Sequence, residues 1–279
     1  MAGGLIGLVL TGSADRIGVE PFFMELIAGM EEALAPAGAT VLLLVVPDLA
    51  AELATYRRWA GDRTVAAVVV VNLVHDDVRP AHVAGLGLPA VLAGRHPGPF
   101  AKVITDDAGA MTTAIETLSA LGHRVVGRVS GPAELVHTAE RTTAIRAAAA
   151  RCGVAVTIVE GDYSAGGGVR GLRALLASEP RPTAIVFDND VMAVAAEQEL
   201  SRSGIAVPGQ VSLLACDDSP LCELAVPPLS ALSTDVHEHG LILGRAVLDL
   251  VRGEPGRDHR GPAVSIRQRE STGAAPLTV

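Results

Sequence analysis

The chain has 279 residues, 49% of them hydrophobic and 19% charged, with 30 glycines and only 3% aromatic side chains. That length suits one large α/β unit or two lobes, and the apolar content supports a sizeable core and argues against disorder. A net charge of -9, one lysine (Lys102) and scattered arginines leave no basic face of the kind that nucleic-acid binding needs. Cys152, Cys216 and Cys222 show no metal-ligand spacing, and their odd number argues against a disulfide framework. They read as small buried hydrophobes in a reducing compartment. Met1-Ala2-Gly3-Gly4 has no signal-peptide character, and no apolar run reaches the roughly 18 to 20 residues of a membrane span. The expected location is the cytoplasm, with no membrane partner.

Strand-like and helix-like runs alternate along the chain. Leu5 to Leu10 reads as a buried strand, followed by a polar loop from Thr11 to Glu20. Pro21 then opens a helix whose Phe23, Leu26, Ile27, Met30 and Leu34 recur at helical spacing, and Gly38 stops it. A strand at Val41 to Val46, a helix at Ala51 to Gly61 and a strand at Val65 to Val71 come next, with Asn72 at its end. Ala90 to Ala93 and Val103-Ile104 are strands, and a long helix from about Ala108 to Leu121 closes on Gly122-His123. Strand Val125 to Ser130 breaks at Gly131-Pro132. Then follow a helix around Ala139 to Cys152, a strand at Val154 to Val159 and a helix from Val169 to Ala177. Ala184 to Phe187 ends in Asp188-Asn189-Asp190, and Val211 to Cys216 ends in Asp217-Asp218. A helix from Val236 to Arg252 and a strand at Val264 to Arg267 complete the series. Repeated βαβ units imply parallel sheets flanked by helices, and roughly ten or more strands favour two such sheets. Polar groups gathered where parallel strands end occupy the place where open α/β sheets bind ligands.

Several segments resemble a known family in order and spacing. They are Pro21 to Gly29, Leu121-Gly122-His123-Arg124 with Ser130-Gly131-Pro132, Glu140-Arg141 and Gly161-Asp162-Tyr163-Ser164. Pro180 to Ile185, Asn189 to Ala193, Val211-Ser212-Leu213, Asp217-Asp218 and Pro227-Pro228-Leu229-Ser230 continue the series. From about Leu5 to Thr272 the chain resembles the effector-binding core of LacI/GalR-type transcriptional regulators, relatives of the periplasmic sugar-binding proteins. The resemblance implies an α/β protein of two similar lobes, each a parallel sheet flanked by helices, with a ligand cleft between them. The expected division is residues 1–121 plus 235–261 for the N-terminal lobe and 122–234 plus 262–279 for the C-terminal lobe. It also implies a homodimer whose small polar effector, a sugar or sugar derivative, controls operator DNA binding through an N-terminal helix-turn-helix headpiece. That headpiece is not in this sequence.

By the same resemblance, Arg141 grips the ligand, its guanidinium suiting vicinal hydroxyls or a carboxylate; the alternative is a surface pair with Glu140. Asp217 matches a carboxylate that accepts hydroxyl hydrogen bonds, while Asp218 suits a helix cap. Asn189 presents both a donor and an acceptor, and Asp190 is expected to cap the following helix. Asn72 matches a polar cleft position. Asp106 or Asp107 does the same or caps the long helix. Tyr163 takes the place of an aromatic stacking on the ligand, and Phe22 or Phe23 closes the pocket, although the spacing of Phe23 also suits core. Thr11, Gly12 and Ser13 are weaker candidates. The resemblance fails in detail at Thr234, so the ligand's identity does not carry over.

Three other patterns point away from catalysis and cofactors. Gly166 to Gly171 formally fits a dinucleotide fingerprint, but the acidic stretch Glu160 to Ala165 separates it from its strand. His237 and His239, two apart at a helix start, point to different faces and do not form a metal pair. Ser130 and Ser164 have no accompanying His/Asp arrangement. A non-enzyme without cofactor or metal is expected, and a solute-binding protein of a sugar transporter is the competing reading.

Overall fold

The computed structural model describes residues 4–12 and 21–276. Ser13 and the rest of the expected loop to Glu20 lie outside the described residues, as do Met1, Ala2 and Gly3. The chain divides into two compact units, Met1–Thr105 with Asp235–Ala263, and Asp106–Thr234 with Val264–Val279.

The first unit contains β1 (Leu5–Thr11), α1 (Pro21–Leu34), β2 (Thr40–Val46), α2 (Leu49–Asp62), β3 (Val65–Val70), α3 (Val78–Gly85), β4 (Ala90–Ala93) and β5 (Ala101–Ile104). The returning chain adds α9 (Val236–Val251) and β11 (Asp258–Arg260). The six strands are all parallel, in the order β11-β5-β4-β3-β1-β2. Strand alternation sends Ile6, Leu8 and Leu10 to one face, where they pack with Phe23, Leu26 and Met30 of α1 and Leu243 and Val247 of α9. On the other face, Trp59 of α2 lies so close over Gly7 that a Cβ there would come within 2.4 Å of the indole. Glycine also brings α1 and α9 into backbone contact. A Cβ on Gly29 would sit 2.0 Å from the His237 carbonyl oxygen, and one on Gly240 would sit 2.1 Å from that of Leu26.

The second unit runs α4 (Asp107–Ala120), β6 (Val125–Ser130), α5 (Val136–Cys152), β7 (Ala155–Glu160), α6 (Ala165–Leu176) and β8 (Ala184–Phe187). It continues with α7 (Asp190–Arg202), β9 (Ser212–Cys216), α8 (Pro220–Leu224), β10 (Ser230–Ser233) and, after α9, β12 (Ser265–Arg267). The sheet order is β12-β10-β9-β8-β6-β7, parallel except for the antiparallel edge strand β12. Buried on both faces, its central strands are mostly apolar, as parallel strands between helices require, with Arg128 of β6 a buried exception. Val126, Val186, Leu214 and Leu232 face α4 and α5, while Val129, Ile185, Phe187, Leu213 and Ala231 face α6 and α7.

The first unit ends at Thr105 rather than at the expected Leu121. The reason is packing: Met111, Ala114, Ile115 and Leu118 of α4 are buried with Val126, Ile145 and Ala148 of the second unit. Helix α6 begins at Ala165, four residues before the expected Val169, because Ser164 caps it by accepting from Gly167 N. Helix α1 stops at Leu34 and gives way to a single 3-10 turn, Ala35–Ala37, ahead of Gly38. The short elements α3, α8 and β11 carry too few periodic positions to announce themselves.

Candidate functional site

In the second unit, polar residues collect where β6, β8 and β9 end. Helical spacing puts His137, Thr138, Arg141 and Thr142 on one face of α5, above those strand ends. Arg128 lies on the α5-facing side of β6, sharing the parity of Val126, and is wholly buried. Its Nε donates to Asp188 Oδ1 at 2.7 Å, its Nη2 to Asp188 Oδ2, and its Nη1 to Thr142 Oγ1 at 2.8 Å. Asp188 also accepts from Gly131 N at 3.0 Å. Burial alone would raise the Asp188 pKa, but the Arg128 guanidinium outweighs it and holds the carboxyl below its ordinary range.

Arg141 donates from Nε to Asp107 Oδ1 at 2.7 Å and from Nη1 to the Asp188 carbonyl at 3.1 Å. Burial opposes its charge, yet Asp107 and Asp188 hold its pKa well above the ordinary value, so it stays cationic. The expected pairing alternative, Glu140, is not the partner; Asp107 is. Among the described residues, the Nη2 end of this fork has no protein partner, and the side chain retains 13% exposure. Of the two acids at the start of α4, Asp106 is the N-cap, accepting from Gly109 N at 2.9 Å. Asp106 is thus the cap, and Asp107 is the acid that reaches Arg141.

Tyr163 has a left-handed backbone, φ 63°, which a bulky residue adopts only under constraint. Two contacts hold it: its hydroxyl meets His137 Nε2 at 2.8 Å, and its carbonyl accepts from Asn189 Nδ2 at 3.0 Å. The tyrosine ring lies over Gly131, where a Cβ would fall 2.1 Å from the phenol oxygen, so the glycine of Ser130-Gly131-Pro132 makes room for it. Burial, which removes water from the charged imidazolium, and then the neighbouring Arg141 charge push the His137 pKa down to about 4. The imidazole is therefore neutral at pH 7. Burial and Asp188 push the Tyr163 phenol well above its usual value, so it too is neutral. His137 carries no sequence signal beyond its spacing of four from Arg141, and it was not anticipated.

Two expected roles are exchanged. Asn189, not Asp190, is the N-cap of α7, accepting from Met192 N at 2.9 Å. With its amide also tied to Tyr163, Asn189 is a buried brace rather than an open ligand group. Asp190 instead accepts from Ser219 N at 3.0 Å, and burial raises its pKa. Asp217 and Asp218 both have left-handed backbones, φ 84° and 61°. Asp217 is half-buried and acts electrostatically on Tyr163 and Cys216. Asp218 does not cap α8, whose N-cap is Ser219; it pairs with Arg269 at 2.6 Å.

In the first unit, Thr11 and Asn72 stand at the ends of β1 and β3 and join one buried network. Thr11 Oγ1 donates to Glu52 Oε2 at 2.8 Å, and Tyr56 Oη donates to Glu52 Oε1 at 2.7 Å. Arg79 donates to Glu52, to both oxygens of Asp77 and to the Asn72 carbonyl at 2.7 Å. Asn72 itself is exposed with φ 51°. The network's interior, Glu52, Tyr56, Asp77 and Arg79, escaped sequence reasoning, although the i, i+4 spacing of Glu52 and Tyr56 is a visible trace. Phe23 packs in the core: it is buried with Leu26 and Met30 and meets Phe22 edge-on at 5.4 Å.

The glycine run of α6 serves helix packing. A Cβ on Gly168 would lie 2.5 Å from the Met192 carbonyl oxygen of α7, and one on Gly171 would lie 2.6 Å from Val129. Among the described residues, no group of three or more His, Cys, Asp or Glu is placed to hold a metal. No described helix is long and apolar enough to cross a membrane.

Two α/β units with polar groups at the carboxyl ends of parallel strands define a protein of the periplasmic-binding-protein type, and the match to the periplasmic binding protein-like domain family spans residues 115–272. The regulator CelR of Thermobifida fusca is 28% identical over 256 residues, covering 89% of this chain and 75% of CelR. A LacI-family transcriptional regulator from Bifidobacterium animalis subsp. lactis superposes with a TM-score of 0.88 at 31% identity, over 97% of this chain and 98% of that one. A complex of the regulator CelR with cellobiose superposes with a TM-score of 0.89 at 27% identity, over 97% and 86% of the two chains. The chain belongs to the LacI family of transcriptional regulators, of which it comprises the effector-binding core.

Proposed function

We propose that the second unit binds a small polar effector, a sugar or sugar derivative, and that this binding controls operator affinity through a DNA-reading headpiece. The carrying observation is the open Nη2 end of a buried, permanently charged Arg141, held in place by Asp107 and by the Asp188 carbonyl. A planar donor fork in a low-dielectric setting suits vicinal hydroxyls. The Tyr163 ring supplies a face for the apolar side of a sugar ring, and Asp217 is the proposed hydroxyl acceptor. The CelR–cellobiose complex, at 27% identity, supports a sugar as the ligand class. The proposed assembly is a cytoplasmic homodimer, and coupling between effector and DNA sites is a free-energy linkage of the kind two-state regulators use.

Thermal-shift measurements against sugars, sugar phosphates and nucleobases would find the ligand, because binding to the native state alone raises apparent stability. Calorimetry with that ligand then tests the site. Arg141→Ala and Asp217→Ala are each expected to weaken binding by at least about tenfold, since truncating one partner of a buried charged hydrogen bond costs roughly 2–5 kcal/mol. Full affinity in both variants rejects the assignment. A solute-binding role is disfavoured by relatives that are transcriptional regulators; an export signal in the upstream coding sequence would restore it.

A further inference from the structure

Arg128 and Asp188 are buried on the side of the second sheet that faces α4 and α5, where Val126, Val186 and Leu214 also pack. Parallel strands ordinarily fill such positions with apolar side chains. A buried ion pair adds little stability over apolar side chains there, because desolvating both charges offsets their attraction. What distinguishes this pair is where its remaining contacts lead. Arg128 Nη1 donates to Thr142 Oγ1 at 2.8 Å, on the α5 turn that carries Arg141, and Thr142 Oγ1 donates in turn to the Thr138 carbonyl at 2.8 Å. Asp188 is fixed from two sides: its N–H donates to the Val129 carbonyl at 3.0 Å, and its carboxylate takes Arg128 and the Gly131 amide. The carbonyl of this same residue accepts Arg141 Nη1 at 3.1 Å.

Resting on the effector-binding reading above, we infer that Arg128, Asp188 and Thr142 are positioning residues for Arg141: they fix the α5 turn it springs from and the carbonyl its guanidinium rests on, and they touch no effector themselves. Asp107 takes the Nε edge of Arg141, and the Asp188 carbonyl is the second point, which sets the plane of the guanidinium. An arginine side chain has much rotamer freedom to lose. A fork already aimed in the empty protein does not lose that freedom when a ligand arrives, so its hydrogen bonds are spent on affinity. The ion pair thus serves the aim of a third residue, which explains two charges in a layer otherwise built of valine and leucine.

The test is NMR of the whole chain with isotope-labelled arginine, read as the exchange of the Arg141 Nε–H with water, together with calorimetry using cellobiose. Two variants loosen the support. Thr142→Val keeps the side chain's shape without its hydroxyl. Arg128→Met combined with Asp188→Asn removes both charges but keeps an acceptor for the Gly131 amide. Each is expected to speed the Arg141 exchange at least about tenfold while the backbone amides of β8 keep their protection. Thr142→Ser, which retains the hydroxyl, is expected to behave as the natural chain does. Unchanged Arg141 exchange in the folded variants overturns the inference, and so does an equal loosening of the β8 amides, which marks a general loss of stability. Failure of both variants to fold assigns the three residues to folding and overturns it as well. If cellobiose binds the natural chain, both variants are expected to bind it at least about fivefold more weakly, and unweakened binding overturns the inference. If cellobiose does not bind, that counts against the sugar reading alone, and the exchange measurement decides on the positioning residues.

Discussion

Asp188 shows how much one residue at a strand end can organise. Its carboxylate takes Arg128 and the Gly131 amide, while its carbonyl takes Arg141. Replacing a buried ion pair with apolar residues is often neutral, whereas removing one partner costs about 3–5 kcal/mol. The pair is therefore better understood as a positional constraint on Arg141 than as a source of stability. In the sequence Asp188 had no assignable role, because its partner lies sixty residues earlier inside a run that reads as an apolar strand. Strand parity alone would have put both on the α5 side; the missing signal was that an arginine could be buried there.

His237 gives a residue-scale prediction. Its Nδ1 lies 3.0 Å from Glu25 and its Nε2 3.0 Å from Glu32, both on α1, and the Glu32 hydrogen bond leads in raising its pKa. Asp235 and Glu238 flank it on its own helix. A histidine raised on folding contributes stability that is complete below its unfolded pKa, about 6.5, and fades as pH climbs through the raised native value. The melting-temperature advantage of the natural chain over His237→Gln is thus expected to shrink as pH rises from about 6.5 through the raised native pKa. A constant advantage across that window contradicts it.

At the scale of elements, helices α6 and α7 and helices α1 and α9 meet through glycine. Gly168→Ala drives a Cβ to 2.5 Å from the Met192 carbonyl oxygen, so the helices must separate; urea titration is expected to show a loss of about 1–3 kcal/mol. Gly166, two residues earlier and on the exposed side of the helix, meets nothing nearer than the flexible Arg170 tip at 3.3 Å. Gly166→Ala is expected to be neutral or to stabilise by up to about 1 kcal/mol through helix propensity. Equal losses in the two variants would dispose of the packing account. Several buried strands were legible because an apolar run and its bounding turn residues agreed, as in Val125 to Ser130 and Ala184 to Phe187, whose bounds match. The caps were not: Asn189, Asp190, Asp217, Asp218 and Ser219 are all polar and adjacent to helix starts. Only three-dimensional placement decides which of them caps, braces or pairs.

For the molecule as a whole, net charge governs partners more than fold does. At -9 the chain offers a duplex no counterion release to exploit. A mobility shift with random-sequence DNA at about 0.1 M salt is expected to show no complex with these 279 residues alone. A salt-sensitive shift would place a DNA-reading surface within them. From sequence α4 looks the same whichever core it joins; only the partners of Met111 and Ile115 assign it to the second unit, so the first unit breaks off at Thr105.

The backbone contact between α1 and α9 carries a last consequence, for biosynthesis. Residues up to Thr105 leave the ribosome with the α1 face lacking Leu243, Ala246 and Val247, which arrive only after residues 106–234 of the second unit. The nascent first unit thus waits, incompletely covered, while the larger part of the second unit is made. Vectorial synthesis thus leaves both units unfinished until the end of the chain, because the second unit's own edge strand β12 is made after α9.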